Sequence, residues 1–284
     1  MLGKSDDNSD SQTSGVLIQY LHELSVYLKE RNLSKKVVTM AVAVLMLAGL
    51  LGIHYRESGS LIPTSGTAAK KELPIYCVQT EEAKIALTFD AAWGNQDTQK
   101  IMEILKKHDI KVTFFMTGGW VDSYPDDVKM IYEEGHDLGN HSQNHKNMSQ
   151  LSDSEKETEL MSVHDKVKAL TGYDMFLFRP PYGDYDNAVV STAKKCGYYT
   201  IQWDVDSLDW KDYGVESILK TVTQNGHLGN GSIILCHNGA KYTAEALDTM
   251  ITTLKDAGFT FVPLSELIYR ENYHMDNEGR QIKD

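Results

Sequence analysis

Hydrophobic and polar positions divide the chain into two unlike parts. From about residue 75 onward, short apolar runs recur at 85–89 (IALTF), 112–116 (VTFFM), 137–140, 176–178, 199–203, 232–235 and 260–262. Between them lie stretches with apolar residues at helical spacing, at 98–107, 125–134, 152–170, 187–196, 215–224 and 243–257. Runs this short read as buried strands, and their alternation with amphipathic helices predicts an α/β architecture built on a parallel sheet. Ser152 with Glu155 three residues on forms a capping box that opens the longest helix, and Gly172 closes it. Gly135 suits the end of the helix before the third strand. The sequence shows no fixed-period repeat. No glycine-rich phosphate loop follows the first strand, which argues against a nucleotide-binding open sheet. An open sheet of another kind and a barrel of about seven strands both fit the alternation.

The N-terminal part has a different pattern. Residues 1–14 are polar, and 16–30 carry apolar positions at helical spacing. Residues 37–53 (VVTMAVAVLMLAGLLGI) contain no charge, which is the short end of a bilayer span. Lys29, Arg31, Lys35 and Lys36 precede this run, so its N-terminal side is expected in the cytoplasm. The run starts too far from the first residue for a cleaved signal peptide, and it lacks the polar positions of a surface-packed core helix. The expected division is a cytoplasmic tail with an amphipathic helix (1–36), a transmembrane anchor (37–55), a linker rich in Ser, Thr, Gly and Ala (56–72), a folded domain (73–270) and a polar, frayed tail (271–284). This makes a single-pass protein of the cell membrane, with the folded domain outside.

The net charge of −12 changes the picture only by exclusion, because a nucleic-acid surface needs a basic face. The three cysteines, Cys77, Cys196 and Cys236, form neither a CxxC pair nor a disulfide framework, and free thiols are expected.

Polar residues gather where the predicted strands end: Asp90 after IALTF, His141 after DLGN, Arg179 after FLF, Asp204 and Asp206 after IQW, His237 after IILC. In a barrel those ends share one face, the face where active sites form. His141 and His145, in HSQNH, meet on one side if the segment is a helical turn, and paired imidazoles suit zinc and related ions. In Arg179-Pro-Pro-Tyr-Gly183 the prolines stiffen the chain beyond a strand, and Asp90 is the natural partner for Arg179, which would keep Asp90 ionised. Asp206-Ser-Leu-Asp209-Trp210 offers a carboxylate to His237, the pairing that makes a histidine a general acid. Each piece alone has an ordinary reading: a chance histidine pair, a rigid turn, a helix cap beside a core histidine. Their order along the chain is what departs from chance.

TFDAAWG, HSQNH, RPPYG, DSLDW and Leu235-Cys-His237 together resemble the polysaccharide deacetylases of carbohydrate esterase family 4, the NodB-homology domain, over roughly residues 73–270. The TFDAAWG variant and the N-terminal anchor look most like the peptidoglycan deacetylases of Gram-positive spore formers. The resemblance implies a distorted (β/α) barrel with a groove across its top. It implies Asp90 as catalytic base, His237 as general acid, Arg179 orienting the base and Asp206 as partner of the acid. It further implies His141 and His145 as ligands of a divalent metal, zinc or cobalt. Tyr182 would supply an oxyanion N–H, Trp210 an aromatic wall and Leu235 the floor of the methyl pocket. The implied partner is a polysaccharide, peptidoglycan or a chitin-like glycan. One position departs from the family: the usual TFDD reads TFDA here, so Ala91 stands where the third metal ligand is expected, and Asp97 is a candidate substitute. Two other functions stay open on this ground: a glycan-binding envelope protein that has lost turnover, and an O-acetyl xylan esterase.

Overall fold

The structure, a computed structural model, describes residues 71–284. The apolar run at 37–53, the amphipathic stretch at 16–30 and most of the linker lie outside the described residues. Among the described residues no helix is long and apolar enough to cross a membrane.

Seven parallel strands form the main sheet: β2 (Lys84–Ala91), β3 (Thr113–Met116), β4 (Asp137–Asn140), β5 (Leu177–Phe178), β6 (Tyr199–Thr200), β7 (Val205–Asp206) and β8 (Ile233–Asn238). Their order is β6-β5-β4-β3-β2-β8-β7, and β9 (Thr260–Phe261) joins the start of β2. Helices α1 (Thr98–Lys107), α2 (Gly118–Ser123), α3 (Pro125–Glu133), α4 (Asp153–Thr171), α5 (Asn187–Lys195), α6 (Val215–Thr223), α7 (Thr243–Asp256) and α8 (Leu264–Leu267) fill the connections. This is an incomplete parallel α/β barrel, as the strand–helix alternation implies.

Strand β2 shows why the layers form. Ile85, Leu87 and Phe89 lie in the cluster shared with helix residues Ile101, Leu105 and Val163, whereas Ala86 joins Phe115, Leu177 and Ile201 on the other side. Period-two alternation therefore sends Thr88 and Asp90 to the side of Ala86, the barrel interior. Thr88 spends its hydroxyl on the Ile234 carbonyl of β8 at 2.7 Å. Asp90 stands one step before the strand ends.

The long helix α4 starts as its sequence requires. The Ser152 side chain accepts from the Glu155 N–H, Glu155 reaches back to the Ser152 N–H, and Gly172 ends the helix with φ 76°. Two features differ from expectation. Residues 271–284 are not a frayed tail: β10 (Tyr273–Met275) and β11 (Arg280–Lys283) form a hairpin that pairs with β1 (Cys77–Val78). Gln281 is buried there and bridges both backbone groups of Tyr269, which ties down a segment too polar to look ordered. Strand β7 is an additional short strand, two residues long, held by β8. All three cysteines are free.

Candidate active site

Asp90 and His237 stand opposite each other in the register of β2 and β8, at the C-terminal ends of both strands. Arg179 follows β5, and its backbone N–H donates to Asn140 O of β4 at 2.9 Å. Its side chain runs inward, fully buried, and Nη1 donates to Asp90 Oδ1 at 2.8 Å. Nη2 donates to the Gln202 carbonyl at 3.2 Å, while the guanidinium lies 4.2 Å from the Phe115 ring centre and 5.5 Å from that of Trp203. Aromatic faces and a fixed fork hold the cation in one orientation. Burial alone would raise the Asp90 carboxyl; the Arg179 cation, foremost among its neighbours, outweighs it and holds Asp90 below the ordinary carboxylate range. Asp90 is thus an ionised base in a dry setting.

His141 and His145 meet, but not through a helical turn. Ser142 (φ 65°) and His145 (φ 53°) are left-handed, so HSQNH is a loop that doubles back. Asn140 Oδ1 accepts the Ser142 N–H at 2.9 Å, and Ser142 Oγ accepts the His145 N–H at 3.0 Å. Glu159 of α4, almost fully buried, accepts the Asn144 N–H and side-chain amide, both at 2.7 Å. These side-chain bonds replace the helical ladder. The loop sets the two imidazoles side by side, with ring centres 4.8 Å apart. His141 Nδ1 donates to the Arg179 carbonyl at 2.8 Å, since a carbonyl can only accept, and this leaves the lone pair on Nε2. Burial lowers the pKa of His141 to about 4 and lowers that of His145 as well, so both are neutral at physiological pH.

Their Nε2 atoms are 3.2 Å apart. Two ligand nitrogens on a tetrahedral zinc, each about 2.0–2.1 Å from the ion, would be about 3.3 Å apart. The pair therefore fits a divalent ion. A third protein ligand does not: among the described residues no set of three His, Cys, Asp or Glu side chains converges on one ion position. Ala91 is fully buried and offers only a methyl group. Asp97 is not a substitute in this arrangement. It heads α1 beside the Gly239 backbone and feels the charge of Asp209, on the His237 side of the site.

His237 takes its partner from Asp209, not from Asp206. Asp209 Oδ1 lies 2.7 Å from His237 Nδ1, and Oδ2 accepts the His237 N–H at 2.7 Å. Thr243 Oγ1 donates to the same oxygen at 2.6 Å. Asp206 Oδ1 instead accepts the Leu208 N–H at 2.8 Å. The reason is the turn between them. β7 ends at Asp206, Leu208 is left-handed (φ 54°), and the chain folds into a 3-10 turn at Asp209–Lys211 that carries Asp209 inside. Asp209 is fully buried; Asp206 is not, though its charge still acts on the imidazole. Burial would lower the His237 pKa, but the hydrogen bond and charge of Asp209, followed by the charges of Asp90 and Asp206, raise it above the ordinary value. His237 therefore keeps its proton to higher pH than an ordinary histidine.

Leu235, two residues before His237 on β8, is buried and pairs in register with Thr88 and Asp206. Tyr182 is left-handed (φ 61°) and exposed, with its ring edge-on to His145 at 4.6 Å. Trp210 is half exposed at the rim. Sequence reasoning assigned no role to Trp93, whose ring centre lies 5.2 Å from that of His237. An aromatic three residues beyond a strand-end aspartate was the available signal. What the site can do chemically is remove a proton at Asp90 and deliver one at His237, beside two unprotonated imidazoles.

Comparison with known proteins follows the same lines. A family model described as polysaccharide deacetylase matches residues 78–201. The peptidoglycan-N-acetylmuramic acid deacetylase PdaA of Bacillus subtilis is 35% identical over 204 residues, 70% of this chain and 77% of that protein. A peptidoglycan-N-acetylglucosamine deacetylase of Bacillus cereus is 34% identical over 190 residues, 66% of this chain and 68% of that protein. Among solved structures, a CE4 family pseudoenzyme from Bacillus anthracis is 39% identical, covers 68% of each chain and has a TM-score of 0.66.

Proposed function

The chain belongs to the polysaccharide deacetylase family, and from that premise we propose that it hydrolyses N-acetyl groups on an amino-sugar polymer, with peptidoglycan as the substrate. The observation that carries the proposal is the pairing of Asp90 with His237 across β2 and β8, each held by its own buried partner, Arg179 and Asp209.

Amide hydrolysis needs a water stripped of a proton, a place for negative charge on the carbonyl oxygen, and a proton for the departing amine. Asp90 takes the water proton as the new C–O bond forms. His237 gives a proton to the sugar nitrogen as the C–N bond breaks, leaving acetate and a free amine. Asp209 holds the imidazole so that Nε2 is the atom that donates. Tyr182 N–H is the proposed donor to the oxyanion, Leu235 the floor under the acetyl methyl and Trp210 a wall beside it. A divalent ion, zinc or cobalt, would be held by His141 and His145 and would supply Lewis acidity toward the carbonyl oxygen and the water.

The anchor is part of the same proposal: residues 37–55 cross the cell membrane once, and the deacetylase domain lies outside, where its polymer is. The B. cereus and B. subtilis relatives, named as acting on peptidoglycan, support that substrate. A second reading has an observation of its own. Ala91 and the likeness to a protein described as a pseudoenzyme favour a glycan-binding protein with impaired turnover. Incubating the purified protein with peptidoglycan and Zn²⁺ separates the two: stoichiometric acetate and new free amino groups support the hydrolase, and glycan binding without acetate supports the second reading.

A further inference from the structure

Among the described residues five large hydrophobic side chains are exposed, and four of them follow the ends of β2, β5 and β7: Trp93, Tyr182, Trp210 and Tyr213. Trp93 is the one that touches the acid. Its ring centre is 5.2 Å from that of His237, with the planes inclined by 31°, and the indole is 49% exposed. The indole thus leans against the imidazole and leaves about half of its surface open to solvent.

The loop that carries it is firmly mounted. The Gly94 carbonyl accepts from Asn238 Nδ2 of β8 at 3.2 Å and from Trp120 Nε1 of α2 at 3.4 Å. Asn238 is in turn held by the Thr98 hydroxyl of α1 at 3.0 Å. Gly239 (φ 94°) lets the two loops approach: a Cβ there would stand 3.2 Å from the Gly94 oxygen and 3.6 Å from the Trp93 Cβ. About half of this large apolar ring is packed, in part against His237, and the other half stands in water on a fixed loop. Rigid aromatic faces do bind ligands at low entropic cost, and a pyranose ring presents C–H bonds on a flat, neutral face.

We propose that Trp93 is a specificity-determining residue: its open indole face stacks on the sugar ring that bears the acetamido group and sets that ring's height above His237. This rests on the deacetylase reading of the site. The sugar nitrogen would then arrive beside the atom that must protonate it.

The test compares the full chain with Trp93→Ala and Trp93→Phe, using N-acetylglucosamine oligomers as probe. Acetate release should show KM raised about three- to tenfold in the alanine variant, with kcat lowered as well because the sugar nitrogen is no longer held beside His237. The phenylalanine variant should recover most of the KM. An unchanged KM in the alanine variant, or a phenylalanine variant no better than alanine, overturns the proposal. Should the wild-type chain release no acetate, the deacetylase reading fails, and tryptophan fluorescence decides the stacking. A saturable quench by the oligomers that drops in Trp93→Phe upholds it, and an equal quench in both proteins overturns it.

Discussion

Asp209 and His237 are joined twice: one carboxylate oxygen lies 2.7 Å from the imidazole Nδ1, and the other accepts the His237 backbone N–H at the same distance. The side chain therefore fixes both where the ring sits and which nitrogen faces the groove. Thr243 completes the arrangement from α7. A buried carboxylate doing this work makes a specific claim about which aspartate matters.

Asp209→Asn should lower kcat for acetate release by about 10²- to 10⁴-fold, the range for losing the orienting member of such a pair. Asp209 raises the His237 pKa, so its removal lowers that pKa. Because His237 acts protonated, the alkaline limb of the pH–rate profile should move to lower pH. Asp206→Asn should shift the same limb less, since it acts by charge alone. Equal losses from the two variants would contradict the assignment.

Arg179→Met should destabilise the fold by about 3–5 kcal/mol in urea unfolding at neutral pH, because it leaves Asp90 buried without its cation. Arg179→Lys should recover only part of this. A single ammonium cannot donate to both Asp90 and the Gln202 carbonyl with a planar group packed against Phe115.

His136 gives a pH dependence remote from the site. Its Nδ1 accepts the Val112 N–H at 3.1 Å, and burial lowers its pKa to about 4. The unfolded chain takes up this proton near pH 6.5 and the folded chain does not until about pH 4. Stability from this group is thus complete above pH 6.5 and lost progressively as pH falls toward 4. The stability advantage of wild type over His136→Gln should shrink across that window, by up to about 3 kcal/mol. Asp204, pushed up to about 6 by burial, acts with the opposite sign, but it is present in both proteins and cancels in the difference.

Ala91→Asp should tighten Zn²⁺ binding at least about tenfold by calorimetry in the full chain, since it restores the carboxylate that the family pattern TFDD carries next to Asp90 at the end of β2. The metal-free variant should be less stable than wild type, because position 91 is fully buried. Unchanged affinity would mean that a carboxylate at position 91, on the same side of β2 as Phe89, does not reach the ion.

The alternation of apolar runs and helical stretches was enough to read a parallel sheet, because strands such as β2 are buried on both faces and appear as continuous apolar runs. The capping box at Ser152 and the strand-end position of Asp90 are local signals, and legible as such. What escaped depends on contacts distant in sequence. The hairpin at β10 and β11 is ordered by the buried Gln281 and by β1, which pairs with β11 from about two hundred residues away in the chain. DSLDW contains two aspartates three apart, and only the left-handed turn at Leu208 decides which goes inward. HSQNH has helical spacing but loop geometry, because Glu159 and Asn140 capture its backbone N–H groups. Trp93 gained meaning only when β8 set His237 beside it.

The measurement that bears most directly on the whole account is acetate release from peptidoglycan by the wild-type chain, Asp90→Asn and His237→Gln, assayed side by side with Zn²⁺. Measurable release is expected from wild type, with a loss of at least about 10²-fold in each variant and glycan binding retained. Release that survives in either variant, or that is absent from the folded wild-type protein, would contradict it.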